Sequence, residues 1–139
     1  MAASPYAAKL AAYSSASAHG GVAAADPHKL IVMLMDGALE RIATARGCIE
    51  RKETAEKARL LNRAVSIIGE LRNSLDANAG GQIAVNLGEL YDYMSRCLLK
   101  ANADNSTKQL DEVSSLLHEI RGAWNMIPAD VRSSARSPK

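Results

Sequence analysis

DPHKLIVMLMDGAL, residues 26–39, is the stretch whose reading decides the fold. Asp26 is placed to cap the free N–H groups of a starting helix. Pro27 suits the first helical position, because it has no N–H to leave unpaired. Leu30 to Met35 are six unbroken apolar residues, which a buried strand could also supply. The pattern then continues at helical spacing through Ala38, Ile42, Ala45 and Ile49, so the run opens a long helix. The stripe it forms takes in Ile31 and Met35 and leaves Leu30, Met33 and Leu34 on other sides. A surface helix has one apolar stripe and a polar back. This one is apolar most of the way round in its first two turns, and its second face needs a cover: another helix, the chain's own N-terminus, or a partner.

Three more helices follow outward from it. The first long helix is expected over about Pro27 to Arg51. Arg51-Lys52-Glu53-Thr54 reads as a tight turn, with Thr54 capping a second helix to about Asp76. The second helix carries Leu61, Ala64, Val65, Ile68, Leu71 and Leu75. Asn78-Ala79-Gly80-Gly81 is expected to end it, since glycine takes the left-handed conformation freely. A third helix, about Gln82 to Ala103, places Ile83, Leu87, Leu90 or Tyr91, Met94, Leu98 and Ala101 on a core stripe. Tyr93 falls off that stripe, with Asn86, Glu89, Arg96 and Lys100. Ser106 and Gln109 form a capping box. Leu110, Val113, Leu117, Ile120, Trp124 and Ile127 then recur at alternating three and four, a coiled-coil-like seam that Pro128 stops. Short connections make sequential helices antiparallel. The expectation is an all-α, antiparallel up-down four-helix bundle over residues 26–128.

Residues 1–25 are rich in Ala, Ser and Gly. Tyr6, Leu10 and Tyr13 share one side of a short helix there, marginal unless docked, before His19-Gly20-Gly21 breaks it. This segment is expected to be mobile, an extra short helix or cap. Residues 129–139 read as a disordered basic tail.

At 139 residues the chain is one domain, large enough for a core without metals or disulfides. Apolar residues make up 47% and aromatics only 4%, with no Phe; that mix suits helix–helix packing. The net charge of +2 is accounted for by the tail's Arg132, Arg136 and Lys139 against Asp130, so the body is neutral. A neutral body argues against nucleic-acid binding, which calls for a basic face. Cys48 and Cys97 form no CxxC and read as buried thiols in a reducing compartment. No apolar run is long enough to insert in a membrane.

Catalytic chemistry is not encoded. No Glu precedes a His by three residues, and His19, His28 and His118 lack metal-ligand spacing. There is no phosphate loop, nucleophile elbow or Cys–His signature. The expectation is no enzyme activity, no cofactor and no metal. A structural, self-associating bundle without a client is the rival to a groove for another protein's amphipathic helix.

The sequence resembles the FliS family of flagellin-specific export chaperones across nearly the whole folded chain. DPHKLIVMLMDGAL is similar to that family's helix-opening Pro followed by L-x-x-M-L-Y-D-G-A. GGQIAVNLGELYDYM, Gly80 to Met94, is similar to its GGE-x-A-x-NL-x-x-LY-x-YM block, and IIGELRNSLD (67–76) and Leu98 to Leu117 followed by Trp124 match as well. Met35 stands where the family often has Tyr or Phe, and Gln82 replaces an acidic residue. The resemblance implies a cytosolic helical bundle that binds the C-terminal segment of flagellin, stops it polymerising early and keeps it competent for flagellar type III export. Members also contact the export gate, and some bind the anti-sigma factor. Leu10 and Tyr13 correspond to the family's N-terminal client-binding pair, and Tyr6 accompanies them. With the surplus face of the first helix and the third-helix block, the client-binding candidates are Tyr6, Leu10, Tyr13, Leu30, Met33, Leu34, Asn86, Leu90 and Tyr93.

Overall fold

The computed structural model describes residues 26–126, and these are four helices without a strand: α1 Pro27–Glu50, α2 Thr54–Asn73, α3 Ala77–Asp104 and α4 Thr107–Asn125. Tyr6, Leu10, Tyr13 and Ile127, with the segments 1–25 and 127–139 that hold them, lie outside the described residues.

The ends of α1 and α4 obey the capping expected of them. Asp26 accepts from the Lys29 N–H at 3.3 Å, and Ser106 accepts from the Gln109 N–H at 3.2 Å. The α1–α2 turn is tighter than Thr54 capping would allow. Thr54 is already helical, and Glu53 stands at the cap without a side-chain bond, its carboxylate paired with Arg51 at 3.1 Å instead. The larger correction concerns the paired glycines. α2 stops at Asn73, well before them. A single helical turn, 77–80, comes next, and Gly81 then adopts φ 58°, ψ −135° before the main run of α3. That conformation is open essentially to glycine alone. Gly80 is needed for a different reason: a Cβ there would stand 2.8 Å from the Ala84 Cβ.

Helices α1 and α3 each pack on α2 and α4, so the four form a ring with α1 diagonal to α3. Cross-links fix the antiparallel register. On the α1–α4 seam, His28 meets Trp124, Asp36 meets Arg121, and Arg46 meets Asp111. On the α2–α3 seam, Arg72 meets Asp92 and Lys57 meets Asn102 and Asn105. The Arg–Asp pairs are all two-pronged, the stronger geometry for such contacts. They are exposed enough that their main effect is on register rather than on stability. Lys57 is buried at 4% exposure, its ammonium donating to the Asn102 carbonyl at 2.8 Å and the Asn105 side chain at 2.6 Å. It closes the pole of the bundle that holds the α1–α2 and α3–α4 turns.

The core runs between the helices: Met35 and Ile42 from α1, Leu61, Ile68 and Leu71 from α2, Met94 and Leu98 from α3, and Leu110, Val113 and Leu117 from α4. Each such side chain contributes about 1.5–3 kcal/mol by leaving water. Of the alternatives at 90 and 91, Tyr91 is the buried one and Leu90 packs at the edge. Ile83, expected in the core stripe, is 71% exposed, because Gly81 starts the main helix so late that Ile83 falls in its first turn at the rim. Ile120 and Trp124, at the far end of the seam, are half-buried. Cys48 and Cys97 are buried free thiols, and burial pushes the Cys48 thiol up.

Candidate functional site

Among the described residues, the pole opposite Lys57 is open. There the start of α1, the end of α2, the start of α3 and the end of α4 leave an apolar hollow of about 80 Å³. Ile31, Leu75, Leu87, Tyr91 and Trp124 form its wall, Ile83 stands on its lip, and Ser74, Asp76, Gly80 and Ala84 complete it. Local sequence explains the gap. The Gly80–Gly81 break interrupts α3 at this pole with Gly80 in the lining, and the Leu75 side chain packs beside Gly88 on α3, 3.6 Å from where a Cβ would be. The Tyr91 phenol reaches into this apolar setting, and burial pushes its pKa up to about 12.

Trp124 is fixed in the wall by His28. The His28 Nε2–H donates to the Trp124 carbonyl at 2.9 Å, and the Trp124 indole N–H donates to the His28 carbonyl at 3.2 Å. The rings stack, 5.1 Å between centroids and 4° from parallel. A buried indole needs a partner for its N–H, and here that need also sets its orientation.

Beside the hollow, at the α3–α4 seam, Leu87, Leu90 and Tyr93 from α3 and Leu116, Ile120 and Trp124 from α4 are half-buried and packed against the core. Midway, the Tyr93 hydroxyl donates to the Glu112 carboxylate at 2.5 Å, and that bond raises the pKa of the phenol. Arg96 lies 6.0 Å from the Tyr93 ring. Exposed charges lie along the two helices: Glu89, Glu112 and Glu119 on the half toward the hollow, and Arg96, Lys100, Asp104 and Lys108 on the half toward the α3–α4 turn, where Lys100 pairs with Asp104 at 3.6 Å.

The structure brings together some of the residues singled out from sequence and separates others. Asn86, Leu90 and Tyr93 all stand on α3, Leu90 and Tyr93 half-buried against the core and Asn86 exposed, its amide oxygen held by Gln82 at 2.9 Å. Leu30 and Met33 are half-buried on α1, the helix diagonal to α3, and do not join that face. Leu34 is not on a surplus face at all: it is 5% exposed and belongs to the core cluster, because α2 and α4 cover more of α1 than one stripe. Sequence reasoning assigned Ile83, Leu87 and Trp124 to the core and so missed their place around the hollow. The glycine pair was the available signal, since a break there removes one layer of packing at that pole.

Among the described residues no group of His, Cys, Asp and Glu is placed to hold a metal ion, and no helix is long and apolar enough to cross a membrane.

Comparison with known proteins points to one family. The model of the family described as "Flagellar protein FliS" matches residues 9–131. The chain is 48% identical over 115 residues to "Flagellar secretion chaperone FliSB" of Pseudomonas aeruginosa, covering 83% of this chain and 91% of that protein. It is 44% identical over 117 residues to "Flagellar secretion chaperone FliS" of Salmonella typhimurium, covering 84% and 87%. To the protein of that name in Bacillus subtilis it is 37% identical over 100 residues, covering 72% and 74%.

Proposed function

Since the chain belongs to the FliS family of flagellar chaperones, which are not enzymes, we propose that it is a cytosolic export chaperone for flagellin. In this reading it holds the C-terminal segment of flagellin, prevents premature polymerisation and delivers the subunit for flagellar type III secretion. The observation that carries the reading is the apolar hollow with the half-buried apolar residues of the α3–α4 seam beside it, on a chain whose relatives are named flagellar secretion chaperones. A client segment that folds on binding loses several kcal/mol to ordering. A long preformed apolar surface offsets that cost better than a single deep pocket. Asn86, Leu90 and Tyr93 act as direct client contacts. Leu30 and Met33 offer a second, smaller apolar strip on α1, and Leu34 serves the core beneath it.

Tyr6, Leu10 and Tyr13 are the N-terminal client contacts in this reading. The flagellar export gate and the anti-sigma factor of the flagellar cascade are further partners. Co-expression with flagellin tests the core of it. Full-length flagellin co-purifies with the chaperone, and flagellin lacking its C-terminal segment does not. Equal recovery of both, or of neither, overturns the reading. Growth of the free protein's mass with concentration in light scattering, with no response to a flagellin peptide, would establish a self-associating bundle instead.

A further inference from the structure

The hollow opens at the end of α4, and the apolar series of that helix runs past the described residues. Leu110, Val113, Leu117, Ile120 and Trp124 recur at alternating three and four, and the next member of the series is Ile127. Met126, just before it, is still right-handed at φ −90° and ψ −4°, and its N–H donates to the Ala123 carbonyl at 3.1 Å. On a helix of 3.6 residues per turn, position 126 faces away from Trp124. Position 127 returns to within about 60° of it, about 4.5 Å farther along the axis. Met126 is 83% exposed, as that register requires. Pro128 cannot carry the helix on and biases the residue before it toward extended backbone, so Ile127 is the last residue the register places.

The hollow suits such a residue in chemistry and in size. Its wall is apolar, the Ser74 hydroxyl is spent on the Leu71 carbonyl at 2.7 Å, and Asp76 is engaged as well. Its volume of about 80 Å³ is well under the roughly 150 Å³ of a cavity that takes a benzene ring. It therefore holds one aliphatic side chain and not a phenol, which sets aside Tyr6 and Tyr13. We propose that the Ile127 side chain caps the hollow, packed on Trp124 and beside Ile83, so that the chain closes this pole with the residue that follows α4. Leu10 is aliphatic too. Bringing it there, however, fixes the backbone from residue 10 to α1, whereas seating Ile127 fixes one residue beyond Met126, and each fixed residue costs conformational entropy. The gain is apolar burial, since Leu75, Leu87 and Trp124 are only half-buried without a cover. The inference stands apart from the flagellin reading, and it adds an intrachain contact that any other occupant of the hollow has to displace.

Trp124, the chain's single tryptophan, stands in the wall of the hollow and serves as a native reporter. In the full-length protein with no client added, Ile127→Ser should shift its emission to the red and raise its quenching by acrylamide at least twofold, with the helical circular dichroism unchanged. Ile127→Val should keep most of the protection. Unchanged quenching in Ile127→Ser overturns the proposal. So does a rise produced instead by Leu10→Ala with Tyr13→Ala, which would give the hollow to the N-terminal segment. A cross-link checks the register independently, because the native Cys48 and Cys97 are buried. Ile83→Cys with Ile127→Cys should form a disulfide within one chain under mild oxidation, and Ile83→Cys with Met126→Cys should not. Equal cross-linking of the two pairs, or of neither, overturns the proposal, and a bridge between two chains overturns it in favour of a second copy.

Discussion

His28 and Trp124 hold each other twice, ring nitrogen to carbonyl in both directions, with their rings in parallel contact. The pair joins the first turn of α1 to the last turn of α4 and fixes one wall of the hollow. Trp124→Phe keeps most of the stacking and removes the indole donor. It should cost about 1 kcal/mol, the net worth of one hydrogen bond. His28→Ala removes the stack and the other bond and should cost more, about 2–3 kcal/mol. Denaturant titration measures both, and equal losses below 0.5 kcal/mol would mean that the two ends are not coupled.

The glycines give opposite expectations. Gly81→Ala should destabilise by about 1–3 kcal/mol, because its backbone conformation is one that a side chain disfavours. Gly69→Ala, where nothing stands within 4 Å of an added Cβ inside α2, should stabilise by about 0.5–1 kcal/mol. Thermal melts of the two variants side by side decide it; the same sign for both would contradict the geometry at Gly81.

The fourth helix separates core from edge. Leu117 is fully buried, and Leu117→Ala should cost about 2–5 kcal/mol. Ile120 is half-buried at the α3–α4 seam, so Ile120→Ala should cost clearly less. A larger stability loss at 120 than at 117 would reverse the assignment.

Acid should loosen the bundle in a defined window. Arg72 holds Asp92, and Arg46 holds Asp111, below the usual carboxylate range. A carboxylate with a depressed folded pKa contributes stability above its unfolded value, near 4, and that stability is lost as pH falls through the folded value. Stability should therefore be flat from about pH 5 upward with respect to these groups and decline below about pH 4. Since these pairs are exposed, Asp92→Asn with Asp111→Asn should flatten the decline only slightly, read by urea titrations across that range. An unchanged acid limb would show that other carboxylates control it.

Leu10 and Tyr13 test the N-terminal segment. Leu10→Ala with Tyr13→Ala should leave the melting temperature nearly unchanged and weaken flagellin binding at least tenfold, if each side chain contributes roughly 1.5–3 kcal/mol against the client. Tighter binding in calorimetry would make the segment a cover that competes with the client. Unchanged affinity with a large stability loss would make it part of the core.

The four helices were legible because their apolar spacing, the Asp26-Pro27 and Ser106 starts and the short connections all agree. What could not be read lay at the ends. Leu34 has the same chemistry as Met33, and only the positions of α2 and α4 decide that one is core and the other edge. Ile83 fits the α3 stripe in sequence, but a single glycine dihedral sets where that helix begins. The hollow was harder still, since its wall comes from all four helices: Ile31, Leu75, Leu87, Tyr91 and Trp124 look like ordinary stripe residues until the helices are docked.

An even number of antiparallel helices puts Asp26 and Met126 at the same pole, and this fixes how the molecule yields to force. Tension applied between those two residues does not load the α1–α4 seam all at once, as shear would. It peels the seam from one end. The His28–Trp124 clasp gives way first, then Asp36 from Arg121, then Arg46 from Asp111, each rung released alone. The bundle is thus mechanically soft along this axis whatever its thermal stability, and it opens from the hollow inward, with the Lys57 pole the last to part.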